Sequence, residues 1–415
     1  MEWKHYKMDE LIEEISMGPF GSDVKKEFYV DNGVPILNGS NLQGFKLQED
    51  SFGYLTKEKA DSLKKCNAHR GDIIVTHRGT LGQIVYVPVD SKYDRYVISQ
   101  SQFRFRCKAD LVDVQYLVYY FHTREGQYKI LANASQVGVP ALARATSTFR
   151  LIDIKLPPLD DQRRIASILS SLDQKIELNN KINADLEEMA QAIFKNWFVD
   201  FEPFKNGKFV DSELGMIPEG WKVGRADDFY QINIGKTPPR KEHKWFSTNP
   251  ADKIWVSIAN MGNSGIFISD SSEYLTKEAV DRHNIIMVPR NTILLSFKLT
   301  VGRVAIADKE LTTNEAIARF ILSDDKYMEY LYLYLKNFDY NSLGSTSSIA
   351  TAVNSKTIKG MQMLQPSDKI IDAFHIQVNP IFEKIRSLTK ESSRLSLLRD
   401  TLLPRLMSGE LEVPE

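Results

Sequence analysis

The sequence predicts a mixed α/β (α+β) chain, a tandem duplication in which two similar globular domains are separated by two long helices. Three observations carry this expectation. Residues 159–202 contain neither proline nor glycine, and seam positions recur there at alternating steps of four and three. A second stretch with the same spacing closes the chain. The string Tyr54-Leu55-Thr56-Lys57-Glu58 returns as Tyr274-Leu275-Thr276-Lys277-Glu278, an offset of 220 residues.

The elements follow in order. A length of 415 residues exceeds the usual prior of roughly 150 per domain. The 42% hydrophobic and 26% charged content is enough to bury real cores. Residues 1–157 read as the first domain. Short β-rich runs such as Gly71-Asp72-Ile73-Ile74-Val75-Thr76 and Gln83-Ile84-Val85-Tyr86-Val87 are punctuated by Gly and Pro, and one helix is expected over 112–130. Pro157 and Pro158 stop this domain, and Asp160 or Asp161 can cap the helix that follows. Residues 158–204 form that helix, with its body over 161–199, on the order of 55 Å at ~1.5 Å per residue. Its seam runs through Leu172, Ile176, Asn179, Asn183, Leu186, Ala190, Ile193 and Trp197. A lone helix of this kind can simply be core. The asparagines on the seam suggest a coiled coil instead, because polar seam residues sacrifice stability to fix register.

Residues 205–366 repeat the first plan. The turn signal Asn206-Gly207 and Ile217-Pro218-Glu219-Gly220-Trp221 lead into it. At the 220-residue offset Arg70 matches Arg290, Ile73 matches Ile293, Thr80 matches Thr300 and Gly82 matches Gly302. Gly18 matches Gly235, and residues 327–338 answer to the helix at 112–130. Residues 367–415 give the second helix and a tail, with Val378, Ile381, Ile385, Leu388, Ser392, Leu395 and Leu402 on the seam. Two like domains joined head-to-tail by like helices can close into a pseudo-two-fold object if the helices pair antiparallel.

The net charge of −1 hides a gradient. Residues 1–159 hold 21 Lys+Arg against 19 Asp+Glu and residues 205–367 hold 20 against 18, while residues 160–204 hold 5 against 9. This permits nucleic acid on the domains and protein partners on the helices. No apolar run approaches the ~20 residues of a membrane span. The first residues, Met1-Glu2-Trp3-Lys4, do not read as a signal peptide. Cys66 and Cys107, the only cysteines, lack metal-ligand spacing and suggest reduced thiols and a cytoplasmic setting.

No specific catalytic constellation is visible. There is no Gly-x-x-x-x-Gly-Lys-Ser/Thr loop, no His-Glu-x-x-His and no evident acidic metal site. Gly18-Pro19-Phe20-Gly21 and Gly262-Asn263-Ser264-Gly265 read as structural turns. Asn249-Pro250-Ala251-Asp252 lacks the second proline and the aromatic residue of DNA amino-methyltransferases and reads as a loop. The residues that remain suit DNA binding. His77-Arg78-Gly79-Thr80, with its counterpart Phe297-Lys298-Leu299-Thr300, places a cation and a hydroxyl on a loop between strands. Arg78, Thr80, Lys298 and Thr300 are therefore candidates. Ser99-Gln100-Ser101-Gln102, with Thr312-Thr313-Asn314-Glu315 as its rough counterpart, adds Gln100, Gln102 and Asn314 as possible adenine readers. The basic runs after the matched glycines contribute Lys25 and Lys26 in the first domain and Lys236, Arg240, Lys241 and Lys244 in the second. Each of these is also compatible with an ordinary solvated turn.

Four stretches together resemble the specificity (S) subunits of type I restriction–modification systems, over the whole length. They are the run from Gly71 to Gly82, Leu156-Pro157-Pro158-Leu159-Asp160-Asp161-Gln162, Phe194-Lys195-Asn196-Trp197-Phe198-Val199-Asp200-Phe201, and the ending from Leu402 to Leu411. One departure is Leu364-Gln365-Pro366-Ser367-Asp368-Lys369, a degraded Leu-Pro-Pro-Leu-x-x-Gln. The resemblance implies a bacterial or archaeal chain with two target-recognition domains, each reading half of a bipartite double-stranded DNA site. It also implies an antiparallel coiled coil of the two helices and docking of two methyltransferase (M) subunits, with restriction (R) subunits joining. It implies no catalysis, no metal and no cofactor on this chain, with S-adenosylmethionine on the M subunit and ATP and Mg on the R subunit. The alternatives are a coiled-coil adaptor of two protein-binding domains, or a single-chain DNA methyltransferase or nuclease.

Overall fold

The structure, a computed structural model, describes residues 3–135, 138–263, 265–343 and 353–413. The chain divides into two compact units, Met1–Ile176 with Arg394–Glu415, and Glu177–Ser393. Each unit holds one domain and a portion of both long helices, Leu159–Phe198 and Asp368–Ser408.

In the first unit an antiparallel sheet runs Ile12–Met17, Gln102–Cys107, Ile73–Thr76, Ile84–Tyr86. Strand alternation divides its side chains between two cores. Ile73, Val75, Phe103 and Phe105 join the cluster that also contains the helix residues Ile165, Leu169, Leu403 and Leu406. Ile74 and Val85 face the other way, toward a five-stranded mixed sheet ordered Tyr29–Val30, Gly53–Leu55, Val34–Ile36, Arg95–Val97, Asn67–His69. The second unit repeats this plan. Its sheet runs Gln231–Ile234, Ile317–Ile321, Ile293–Ser296, Val304–Ala307, Phe267–Ile268, beside a smaller sheet ordered Phe246–Ser247, Tyr274–Leu275, Lys253–Val256, Thr312–Thr313. The repeated Tyr-Leu-Thr-Lys-Glu string has one physical job in both places. Its Tyr-Leu closes a strand, and its Thr caps the next helix: Thr56 accepts from the Lys59 amide and Thr276 from that of Ala279.

The helix expected over 112–130 is two helices, Val114–His122 and Arg124–Leu131. Thr123 divides them. It is extended, its hydroxyl donates to the Tyr120 carbonyl, and the same oxygen accepts from the Gly126 amide. The first long helix also begins earlier than expected. Asp160 and Asp161 lie inside its first turn, where they favour the helix dipole and do not cap it. Gln162, 1% exposed, ties this start to its domain. Its side chain accepts from the Asp113 amide (3.0 Å) and donates to the carbonyls of Leu111 (3.0 Å) and Pro157 (2.9 Å). Within the degraded second motif, Tyr327 donates to the Asp368 carboxylate and Lys326 pairs with Asp372 (3.0 Å), so polar side chains hold that helix start by a different route.

Within each unit the two long helices pack on one another. In the second unit buried Asn179 donates to Glu391 (2.9 Å) and Ser392 (3.3 Å), and Asn183 donates to Thr389 (3.3 Å). As one number rises the other falls, so this pairing is antiparallel. In the first unit Asp173 pairs with Arg399 (2.6 Å). An arginine of the second long helix also lies over a phenylalanine of each domain: Arg399 over Phe45 and Arg386 over Phe267. The motif around Trp197 is an aromatic plug, in which Phe194 and Phe198 pack on Tyr330 and Phe374.

Gly262 lies in the helix Ile258–Asn263 and not in a turn, while Ser264 of the same tetrapeptide is outside the described residues. Asn249 is in a loop, its side chain accepting from the Ala251 amide (3.1 Å).

Candidate nucleic-acid interface

Sheet register brings three connections of the first domain to one end of its central sheet. Met17 closes its strand opposite Phe103, and Gln102 opens its strand opposite Thr76, where the next strand ends. The turn after Met17, residues 99–101 and the loop 77–83 therefore lie side by side. Backbone hydrogen bonds pin them. The Gly18 amide donates to the Gln102 carbonyl (2.8 Å), His77 to Ser101 (2.9 Å) and Gly79 to Pro140 (2.8 Å). Gly18 must be glycine, because a Cβ there would stand 1.9 Å from the Ser99 carbonyl oxygen. The His77 ring bonds the Gln100 carbonyl (3.1 Å), and burial pushes its pKa below the ordinary range. The loop's positive charge at neutral pH thus rests on exposed Arg78, with Thr80 and Gln100 also exposed.

The second domain builds the same cluster. Ile234 lies opposite Ala318 and Ser296 opposite Ile317. Gly235 donates to Ile317 (3.1 Å) and Phe297 to Ala316 (3.0 Å), and a Cβ on Gly235 would stand 1.9 Å from the Asn314 oxygen. Lys298 and Thr300 are exposed on the loop that answers to residues 77–83. The backbone is left-handed at Gly79 (φ 90°) and at Leu299 (φ 61°), and again at Gly82 (86°) and Gly302 (90°).

These equivalences correct one expected pairing. Ser99 corresponds to Asn314 and Gln100 to Glu315, an offset of 215, because the connection preceding the strand is shorter in the second domain. Glu315 is the residue that sequence reasoning passed over. Its carboxyl lies below the usual range: burial pushes it up, but the Thr237 hydroxyl bond and the charges of Lys298 and Arg240 outweigh that. A carboxylate can accept from cytosine N4, as a glutamine amide can pair with adenine.

Five of the other candidates are engaged within the protein. Gln102 is 1% exposed, accepts from the Ser99 amide (2.8 Å) and donates to the Asn38 carbonyl (3.3 Å), so it is a structural residue. The Asn314 side chain is half-buried and accepts from the Ala316 amide (3.2 Å), shaping the turn. Arg240 forks onto Glu273 (2.7 and 3.0 Å) and lies against the rings of Phe246 and Trp255. Lys236 donates to the His283 carbonyl (2.6 Å), and Lys244 sits over Trp245 and 3.6 Å from Glu242. Lys241, Lys25 and Lys26 are exposed, Lys25 standing 4.0 Å from Glu27. Among the described residues no group of three His, Cys, Asp or Glu side chains is placed to hold a metal, and no helix is long and apolar enough to cross a membrane.

Comparison with known proteins matches this duplicated arrangement. The family model for the type I restriction modification DNA specificity domain fits twice, over residues 1–188 and 218–374. The chain is 26% identical to the type I restriction enzyme HindI specificity subunit of Haemophilus influenzae, covering 99% of this chain and 100% of that one. It is 29% identical to the MjaIX specificity subunit of Methanocaldococcus jannaschii, covering 100% and 94%. The crystal structure of the type I restriction-modification S subunit from M. genitalium shares the fold, with a TM-score of 0.58 at 16% identity over 98% of this chain and 96% of that one.

Proposed function

Because the chain belongs to the family of type I restriction modification DNA specificity subunits, we propose that it is the sequence-reading subunit of such a complex, each domain recognising one half of a bipartite duplex target. The observation that carries this reading is the twofold repetition of the pinned connections, with Arg78, Thr80 and Gln100 in one domain answered by Lys298, Thr300 and Glu315 in the other. Cations and hydroxyls suit phosphates, and the amide and carboxylate suit base edges. A backbone held by short internal bonds presents these groups at little ordering cost on binding.

The chain itself performs no chemistry. Two methyltransferase subunits dock on it and carry S-adenosylmethionine, while restriction subunits that use ATP and Mg join the assembly. The complex works on DNA in the cytoplasm, where buried Cys66 and Cys107 remain thiols.

The test is methylation mapping of DNA from cells that express the chain with its methyltransferase partner. Exchanging residues 1–155 for the first domain of another family member should replace one half of the recognised sequence and leave the other intact. A change in both halves, or in neither, would sink the reading of one domain per half-site.

A further inference from the structure

Two apolar side chains are displayed where a soluble domain gains nothing by displaying them. Leu299 is 98% exposed and Phe20 82%, more than any other large hydrophobic residue described. Each stands in the cluster of connections at the end of its own domain's central sheet, Phe20 between Gly18 and Gly21 and Leu299 between Lys298 and Thr300.

Folding does not explain either. Leu299 has a φ of 61°, a conformation that disfavours residues with a Cβ. The duplicated domain shows the unstrained solution, Gly79 at φ 90°. A leucine at this position therefore strains the backbone and buries nothing. Phe20 projects from a turn whose backbone is fixed on both sides. Its amide donates to the Asp23 carboxylate (3.1 Å), and Gly18 is bonded to Gln102 (2.8 Å). Both side chains are thus held out from a set backbone, among groups that suit phosphates and base edges.

An occupant that satisfies both the cations and an apolar tip must carry negative charge beside an apolar spot. The major groove of duplex DNA does so at the 5-methyl group of thymine. The neighbouring Gln100 and Glu315 have base-edge chemistry, which favours a groove contact over a wedge driven between base pairs. Resting on the DNA-reading function proposed above, we infer that Phe20 and Leu299 are specificity-determining residues, each contacting a thymine methyl group in its own domain's half-site.

The test uses the full chain bound to its methyltransferase partner and synthetic duplexes of the mapped target. Thymines are replaced by uracil one at a time, which removes only the methyl group. The wild-type complex should lose about fourfold in affinity at one position of each half-site, the value of one buried methyl-sized group. Phe20→Ala should abolish uracil sensitivity in the first half-site alone, and Leu299→Gly in the second alone. Neither should lower the melting temperature, since Phe20 is exposed and glycine already occupies the matching turn. Uniform tolerance of uracil, a half-site without thymine, or full uracil sensitivity in the variants would overturn the inference. So would a 2-aminopurine signal showing unstacking at the contacted step, which would indicate a wedge. Failure of the wild-type complex to prefer its mapped duplex over random DNA would instead overturn the function on which the inference rests.

Discussion

Gln100 and Gln102 are two positions apart and of one residue type, yet one faces solvent and the other is spent on the Ser99 amide and the Asn38 carbonyl. A strand boundary read from sequence is uncertain by a residue or two, so composition alone marks both as readers. The exposure of Arg78 and Lys298 was legible, because a cation that follows a short strand has few internal uses. Replacing either by Ala should weaken duplex binding by the assembled complex, and the slope of log affinity against log salt should fall by about one. An unchanged slope would return that loop to an ordinary solvated turn. Glu329 illustrates a residue whose role no sequence reading could reach. It is fully buried on the helix Met328–Asn337, with Asn379 and His375 as its partners (2.8 Å each). Burial raises its pKa and those two bonds only partly oppose the shift. The folded state therefore binds the proton more tightly than the unfolded state, and stability falls as pH rises from the ordinary carboxyl range through the raised value. Glu329→Gln keeps the shape and removes this cost. The variant should match the wild type in acid, below the ordinary carboxyl range, and melt at a higher temperature than the wild type at pH 7.5 in calorimetry.

The long helices were the most legible elements, since their apolar spacing runs on without a breaker between Leu159 and Phe198. Their starts were less so. Pro157 and Pro158 mark the neighbourhood, but the residue that fastens the helix is Gln162, whose three backbone partners come from sequence positions up to 51 residues away. The break at Thr123 was hidden because Thr is compatible with a helix interior, and only the Tyr120 carbonyl and Gly126 amide make it a boundary. Asn179 was visible as a polar residue on an apolar seam, and its partner Ser392 lies on the facing seam. Its side-chain oxygen is buried without a hydrogen-bond partner, so its contribution is to alignment more than to stability. Asn179→Leu should leave the melting temperature unchanged or raise it. A drop of several degrees would show that the bonds to Glu391 and Ser392 are a net stabilising feature.

For the molecule as a whole, the duplication was legible from a nearly constant offset, and the structure explains where that offset drifts. It is 220 residues at Gly79 and Leu299 and 215 at Ser99 and Asn314, so the two domains keep the order of four central strands and vary the connections between them. The proposal that each domain reads one half-site raises the question of what would set the gap between the half-sites. The first unit pairs the helices at Asp173 and Arg399, and the second pairs them at Asn179 and Ser392. A heptad inserted into both helices between these two contacts would preserve each contact and the phase of the seam. It would lengthen the helices by about 10 Å at ~1.5 Å per residue, close to three base pairs of duplex at ~3.4 Å each. The readout is selection by the assembled complex from a library in which the two mapped half-sites are separated by every gap over a full helical turn. If the helices set the gap, the bases within each half-site should stay the same and the preferred gap should grow by about three base pairs. Selection of the original gap by the lengthened protein would show that the joints between domain and helix, and not the helices, determine the spacing.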